Sequence, residues 1–223
     1  MKDFVIFDFC ETLVDFQSAD RFINRILDNR SVDKNKFWKQ ISRFLSCRFF
    51  NLGFNKFFPA LIYGKRMKLL GIRGITKSDI DAAAIQYQKE LNKNLIKPLN
   101  QLLTEHIQKG DYLVIVSGGY TPYIEEFSKG KGIQKVFATK IRFKNNKCLG
   151  VFDGKDCMRE EKRILVKNYI KKEKIIYSKS ICYSDSKSDL PIMEWVDEGI
   201  VISKDKSQYW AKEYGFKEII WKS

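Results

Sequence analysis

Asp8 stands directly after the apolar run Phe4-Val-Ile-Phe7, where a carboxylate is costly to bury without a partner. Groups of matching chemistry recur farther along the chain. Ser117-Gly118-Gly119 follows the run Tyr112-Leu-Val-Ile-Val116 and offers a hydroxyl and two side-chain-poor backbone amides, a combination suited to cradling a phosphate. Asp185 and Asp189, four residues apart, follow the run Ile181-Cys-Tyr183 on a loop entering a helix. Lys162 lies in the helix start Cys157-Met-Arg-Glu-Glu-Lys-Arg-Ile-Leu165, from which an ammonium can be aimed at the same point. Carboxylates, one hydroxyl and one lysine describe a magnesium-assisted phosphoryl-transfer site, since Mg²⁺ prefers oxygen ligands and tolerates few protein contacts.

These residues need a scaffold that brings distant segments together. The runs named above, with Val136-Phe-Ala138 and Gly199-Ile-Val-Ile202, read as buried parallel strands. Helical patterns lie between them; one starts at Pro98 and stops at Lys109-Gly110. The alternation predicts a doubly wound α/β sheet of Rossmann-like type, in which ligands sit beyond the carboxyl ends of the strands. Arg142 to Phe152 alternates about Asn145-Asn146 instead, the pattern of an inserted hairpin.

The 223 residues suit one domain, or one with a sizeable insertion, and 44% hydrophobic content excludes a disordered polyelectrolyte. Five cysteines without a CxxC pair, and a single histidine, His106, argue against a zinc site. Cys47, Cys148, Cys157 and Cys182 read as small core residues, and His106 falls on no site. Asp3 lies inside the first apolar run and Asp8 straight after it, so no secretory signal is expected, and no apolar stretch reaches the ~20 residues that span a bilayer. The expectation is a cytoplasmic protein with reduced thiols.

Between the first strand and the Pro98 helix the chain has helical periodicity from about Ser18 to Leu95, with breaks near Gly53, Gly64 and Gly71–Gly74. This predicts an all-helical insertion. Lys and Arg number 41 against 27 Asp and Glu, a net charge of +14. Residues 30–75 carry eleven of those bases against Asp33 alone, which is +10 of the total. Aromatics from Phe37 to Phe58 interleave with the charge. Such a basic amphipathic run suits an anionic membrane surface, to which the protein would be peripheral, or a polyanionic substrate; the competing reading is a solvated face over a Phe-rich helical core. No nucleic-acid-binding motif accompanies the charge, which argues against nucleic acid as the partner.

Four segments together resemble the haloacid dehalogenase (HAD) superfamily, in particular its IB subfamily of phosphoserine-phosphatase-like enzymes. Phe7-Asp-Phe-Cys-Glu-Thr-Leu13 resembles the first motif, usually DxDGT, and Val114-Ile-Val-Ser-Gly-Gly119 the second. Lys162 matches the third, and Tyr183-Ser-Asp-Ser-Lys-Ser-Asp-Leu-Pro191 the fourth. Each motif is weak by itself, but their order at strand ends is specific. The resemblance covers nearly the whole chain and implies a core of residues 1–14 and 96–223 with a helical cap over 15–95. It implies that Asp8 is the nucleophile, that Ser117, Gly118 and Lys162 hold phosphate, and that Asp8, Asp185 and the carbonyl of Cys10 hold Mg²⁺ with Asp189 orienting this shell.

The chain departs from the family pattern at Cys10 and Glu11, where the phosphatases carry Asp and Gly. The missing Asp is the usual acid–base residue, and a thiol with a reference pKa of about 8.5 is a poor substitute. Gln17 stands where the phosphoserine-specific enzymes carry a glutamate, which argues against phosphoserine. The resulting expectation is a Mg²⁺-dependent phosphatase or phosphotransferase acting on a small phosphorylated metabolite, sugar or lipid headgroup. The alternatives are a catalytically degenerate relative that keeps the phosphate and metal pocket, and a HAD hydrolase of other chemistry.

Overall fold

A computed structural model describes residues 1–28 and 60–222. The element order is β1 (Phe4–Phe7), α1 (Ser18–Asp28), α2 (Ala60–Gly71), α3 (Lys77–Lys93), α4 (Lys97–Lys109), β2 (Tyr112–Tyr120), α5 (Thr121–Ser128), β3 (Lys135–Thr139), the hairpin β4 (Ile141–Lys144) and β5 (Lys147–Phe152), α6 (Glu160–Glu173), β6 (Ser180–Ser184), a 3₁₀ turn (Lys187–Asp189), α7 (Leu190–Met193), β7 (Glu198–Lys204), α8 (Tyr209–Glu213) and β8 (Lys217–Trp221). Six strands form one sheet in the order β3-β2-β1-β6-β7-β8, and every pairing in it is parallel.

All four side chains of β1 are buried, as a central parallel strand with both faces covered requires. Two apolar clusters flank the sheet. One joins Val5, Phe7 and Ile115 to Phe22, Tyr87, Leu103 and Phe127, and the other joins Phe4, Ile6 and Val114 to Val166, Ile192 and Trp210. Because Phe22 of α1, Leu69 of α2 and Tyr87 of α3 belong to the first cluster, the helices inserted between β1 and β2 share their core with the sheet.

The register sets what meets at the carboxyl edge. Phe7 lies opposite Ile115 of β2 and Tyr183 of β6, so Asp8 emerges level with Val116 and Ser184, one residue below Ser117 and Asp185. On one side of β1 the sheet runs outward through β2 to β3, and on the other through β6 to β7 and β8, which makes this edge the point where strand order reverses.

The hairpin turns through Asn145 (φ +48°) and Asn146 (φ +59°), both left-handed as a tight two-residue turn demands. It pairs with the loop joining α2 and α3: Gly74 N–H donates to the Cys148 carbonyl at 2.8 Å, and Cys148 N–H to Ile75 at 2.8 Å. α4 ends at Gly110 with φ +73°.

Two expectations change. Gly64 does not break a helix; it lies within α2 with open space where a Cβ would be, so nothing there forces the chain to turn. The C-terminal stretch supplies a sixth strand, β8, whose Lys217-Glu-Ile-Ile-Trp221 does not alternate cleanly between buried and exposed positions. His106 is buried, with Nδ1 2.8 Å from Asp111 Oδ2 and Nε2 3.1 Å from the Tyr183 hydroxyl. Cys148, Cys157 and Cys182 are buried free thiols. Cys47, Gly53, the aromatics Phe37 to Phe58 and most of the basic run, with the membrane contact expected of it, lie outside the described residues. No helix among the described residues is long and apolar enough to cross a membrane.

Candidate active site

The loops after β1, β2 and β6 and the first turn of α6 converge at the carboxyl edge. Lys162 is 3% exposed, with its Nζ 3.0 Å from Asp8 Oδ1 and 2.6 Å from Asp189 Oδ2. Ser184 Oγ donates to the same Asp189 oxygen at 2.6 Å. Burial alone would push the ammonium down, but Asp8 and Asp189 outweigh it and hold Lys162 above its ordinary value, so it stays charged. Burial pushes the Asp8 carboxyl up against the pull of Lys162, and Asp189 adds to the rise.

Asp185 faces Asp8 from the end of β6. Thr12 fixes it at both ends: its hydroxyl donates to Asp185 Oδ1 at 3.0 Å and accepts from the Asp185 N–H at 3.0 Å. Burial, then repulsion from Asp8 and a smaller push from Glu11, raise the Asp185 carboxyl. Glu11 has φ +56°, the left-handed conformation that explains glycine at this position in the family motif, at a strain cost of about 1 kcal/mol for another residue. Its exposed carboxylate accepts from the Gln17 amide.

Cys10 does not point its thiol at free space. Sγ lies 3.0 Å from Ser18 Oγ, which is 2.7 Å from the Tyr123 hydroxyl, while Tyr87 donates to the Ser18 carbonyl at 3.0 Å. Burial and the nearby Asp8 charge push the thiol up, so it is neutral at physiological pH.

The donor set suits a small hard dication. Asp8 and Asp185 offer carboxylate oxygens, and Asp8 Oδ1 is fully enclosed yet receives no well-directed hydrogen bond, although the Lys162 ammonium is near. Two buried carboxyls whose protonation is favoured by their proximity are the environment that a bound cation reverses. No group of three or more His, Cys, Asp or Glu side chains arranged to hold a metal occurs among the described residues, so main-chain oxygen and water would complete a shell, as Mg²⁺ accepts.

Ser117 is buried in β2, just before a two-residue bulge: Ser117 pairs with Ala138, but the next partner, Thr139, pairs with Tyr120. Gly118 and Gly119 fill the bulge, where a side chain at Gly119 has no room and one at Gly118 would press on Met158. A Cβ on Gly119 would lie 2.1 Å from the Tyr123 hydroxyl, and one on Gly118 3.0 Å from Met158 Cγ. The Gly119 N–H donates to Ser117 Oγ at 3.0 Å.

Of the site residues expected from the sequence, Asp8, Cys10, Ser117, Gly118, Asp185 and Asp189 thus lie at this edge or on the segments leaving it, and Lys162 reaches it from the first turn of α6. Ser184 and Thr12 were inside recognised motifs but had no assigned part. Lys65 carried no signal, since it is 53 residues from its partner Gly118 and stands among other bases.

The profile for haloacid dehalogenase-like hydrolases matches residues 5–194. The chain belongs to that family. Among solved structures, it resembles a protein of unknown function from Bordetella pertussis Tohama I at TM-score 0.77 and 18% identity, with 98% of each chain covered. A phosphoserine phosphohydrolase-like protein from Francisella tularensis subsp. tularensis SCHU S4 superposes at TM-score 0.63 and 19% identity, covering 98% of this chain and 95% of that one. A substrate-bound phosphoserine phosphatase gives TM-score 0.63 and 16% identity over 98% and 93%. No match was found among curated proteins. This haloacid dehalogenase-like hydrolase therefore has the α/β fold of phosphoserine phosphatases.

Proposed function

We propose that this hydrolase is a Mg²⁺-dependent phosphatase or phosphotransferase that works through an aspartyl-phosphate, with residues 1–14 and 96–223 as core and 15–95 as cap. The observation that carries the reading is the buried Asp8 carboxylate, backed by Lys162, which is itself anchored by Asp189 and Ser184. An Asp8 oxygen attacks phosphorus as the bond from phosphorus to the substrate oxygen breaks, and the departing oxygen takes a proton from water. Water then attacks the phosphorus of the acyl phosphate, releasing inorganic phosphate and restoring Asp8; a hydroxyl acceptor in place of water gives phosphotransfer. The Ser117 hydroxyl and the Gly118 amide hold phosphoryl oxygens, and the Lys162 ammonium offsets the charge on them and on Asp8. Mg²⁺ held by Asp8, Asp185 and the Cys10 carbonyl supplies the remaining positive charge. Thr12 keeps Asp185 facing that position.

The substrate is a small phosphorylated metabolite, sugar or lipid headgroup. Gln17 engages Glu11 and lacks the charge to meet a substrate amine, which weighs against phosphoserine. One observation favours a second reading, that of a degenerate phosphate-binding relative: the neutral Cys10 thiol, tied to Ser18, neither gives nor takes a proton readily.

Hydrolysis of p-nitrophenyl phosphate separates the two. The expected result is Mg²⁺-dependent release that EDTA removes and Asp8→Asn abolishes with an unchanged circular dichroism spectrum. Undiminished turnover by Asp8→Asn would overturn the nucleophile. A wild-type protein that binds inorganic phosphate with Mg²⁺ but releases no p-nitrophenolate would favour the relative without turnover.

A further inference from the structure

Lys65, on inserted helix α2, reaches past the sheet edge to the double-glycine bulge, with a side chain 12% exposed. Its ammonium donates to the Gly118 carbonyl, ion-pairs with Asp156 Oδ1 at 2.5 Å and lies 3.1 Å from Thr139 Oγ1. It also stands 5.2 Å from the centre of the Phe152 ring and 5.5 Å from that of Tyr120.

The Gly118 carbonyl and the Gly119 N–H belong to one rigid planar peptide and point in opposite directions. Its carbonyl end is held by Lys65, and its N–H end donates to Ser117 Oγ at 3.0 Å. Accepting that bond commits a lone pair of the serine oxygen and leaves its proton free to donate outward. Thr139 is a weak second anchor, because its single proton has a nearer acceptor: Asp156 Oδ1 at 2.5 Å against Gly118 O at 3.1 Å. Gly118 and Gly119 have no side chains to restrain the peptide, so its orientation depends on the charge brought by α2.

We propose that Lys65 is a positioning residue through which the inserted helices set the hydroxyl of Ser117. The chain of contacts runs from the Lys65 ammonium through the Gly118–Gly119 peptide to Ser117 Oγ and on to the phosphoryl oxygen. Asp156 aims the lysine and keeps it off the phosphate itself. The last link rests on the proposed phosphate-binding part of Ser117; the first two do not.

The test uses the full chain and two kinds of readout. Amide hydrogen exchange at Gly119, followed by NMR without substrate, is expected to speed up at least tenfold in Lys65→Met and to return toward wild type in Lys65→Arg, which can still donate. With Mg²⁺ present, Lys65→Met is expected to weaken inorganic phosphate binding and raise KM for p-nitrophenyl phosphate by about tenfold to a hundredfold, the worth of one charge-assisted hydrogen bond. In a Ser117→Ala background the same substitution is expected to add less than twofold. Asp156→Asn, which leaves the lysine on Gly118, is expected to do less than Lys65→Met. Unchanged Gly119 exchange in folded Lys65→Met overturns the proposal, as does an undiminished Lys65→Met effect on phosphate affinity in Ser117→Ala. If Ser117→Ala itself leaves phosphate affinity unchanged while Gly119 exchange still answers to Lys65→Met, the assignment of Ser117 fails and the clamp on the peptide stands.

Discussion

Replacing Lys162 by Met tests the electrostatic centre of the site without any substrate. The ammonium is enclosed, 3.0 Å from Asp8 and 2.6 Å from Asp189. At an effective dielectric of about 20 these separations correspond to gross attractions of about 5 to 6 kcal/mol each, most of which only offsets the cost of burying the three charges. Removing the lysine strands two buried carboxylates, and breaking such a pair costs about 3 to 5 kcal/mol. With an unfolding entropy of about 2.1 cal/mol/K per residue, 223 residues give about 0.47 kcal/mol/K, so Tm is expected to fall by about 6 to 11 °C. Thermal unfolding by circular dichroism at pH 7 in EDTA measures this with no dication to replace the lost charge. Adding Asp189→Asn to Lys162→Met removes one stranded carboxylate and is expected to recover several degrees. Lys172→Met, at a lysine with an 81% exposed side chain, is the control and is expected to stay within about 0.5 kcal/mol of wild type. A Lys162→Met variant melting within 1 °C of wild type, or one that Asp189→Asn weakens further, would refute the argument.

Cys10→Asp is expected to speed hydrolysis of alkyl phosphates by about 10² to 10⁴, because it restores a carboxyl beside Asp8 where Ser18 Oγ can bond it; a steady-state assay with an alkyl phosphate checks it, and an inert variant that still binds Mg²⁺ would count against it. A wild type already fast on such substrates would point to Glu11, and Glu11→Gln would then slow it. Away from the site, burial raises the Asp111 carboxyl, but bonds from His106 and the Asp3 N–H outweigh this and leave it below its ordinary value. A carboxyl lowered by folding stabilises above its unfolded pKa of about 3.8 and loses that contribution as pH falls through the folded value. Asp111→Asn is therefore expected to cost about 1 to 3 kcal/mol near neutral pH and to flatten the stability curve below pH 4, as urea unfolding against pH would show; a loss of equal size at pH 3 and pH 7 would contradict this.

Much of the scaffold was legible because it is written in short-range patterns. Five of the six sheet strands are continuous apolar runs ended by polar residues, and the Asn-Asn hairpin and Pro98 helix carry their own boundary signals. β8 escaped because an edge strand, buried on neither face completely, loses the apolar signature of its neighbours. Gly64 was misread because a glycine inside a helix looks the same in sequence as one that ends it.

By itself the sequence determined which groups stand at the strand ends, since a charge or a Ser-Gly-Gly after a buried strand is a local feature. It also determined the mismatch at Cys10 and Glu11, which is a matter of residue type alone. Only the tertiary structure decided what those groups touch. The parallel register brings Asp8 to one edge with Ser117 and Asp185, each more than a hundred residues from it in the chain. The Cys10 thiol is turned toward Ser18 and Tyr123, and Lys65, indistinguishable in the sequence from the other bases around it, is carried to Gly118. Hydrogen-bond direction and ion pairing depend on separations of a few ångströms across the fold, and those are fixed by how helices pack on the sheet.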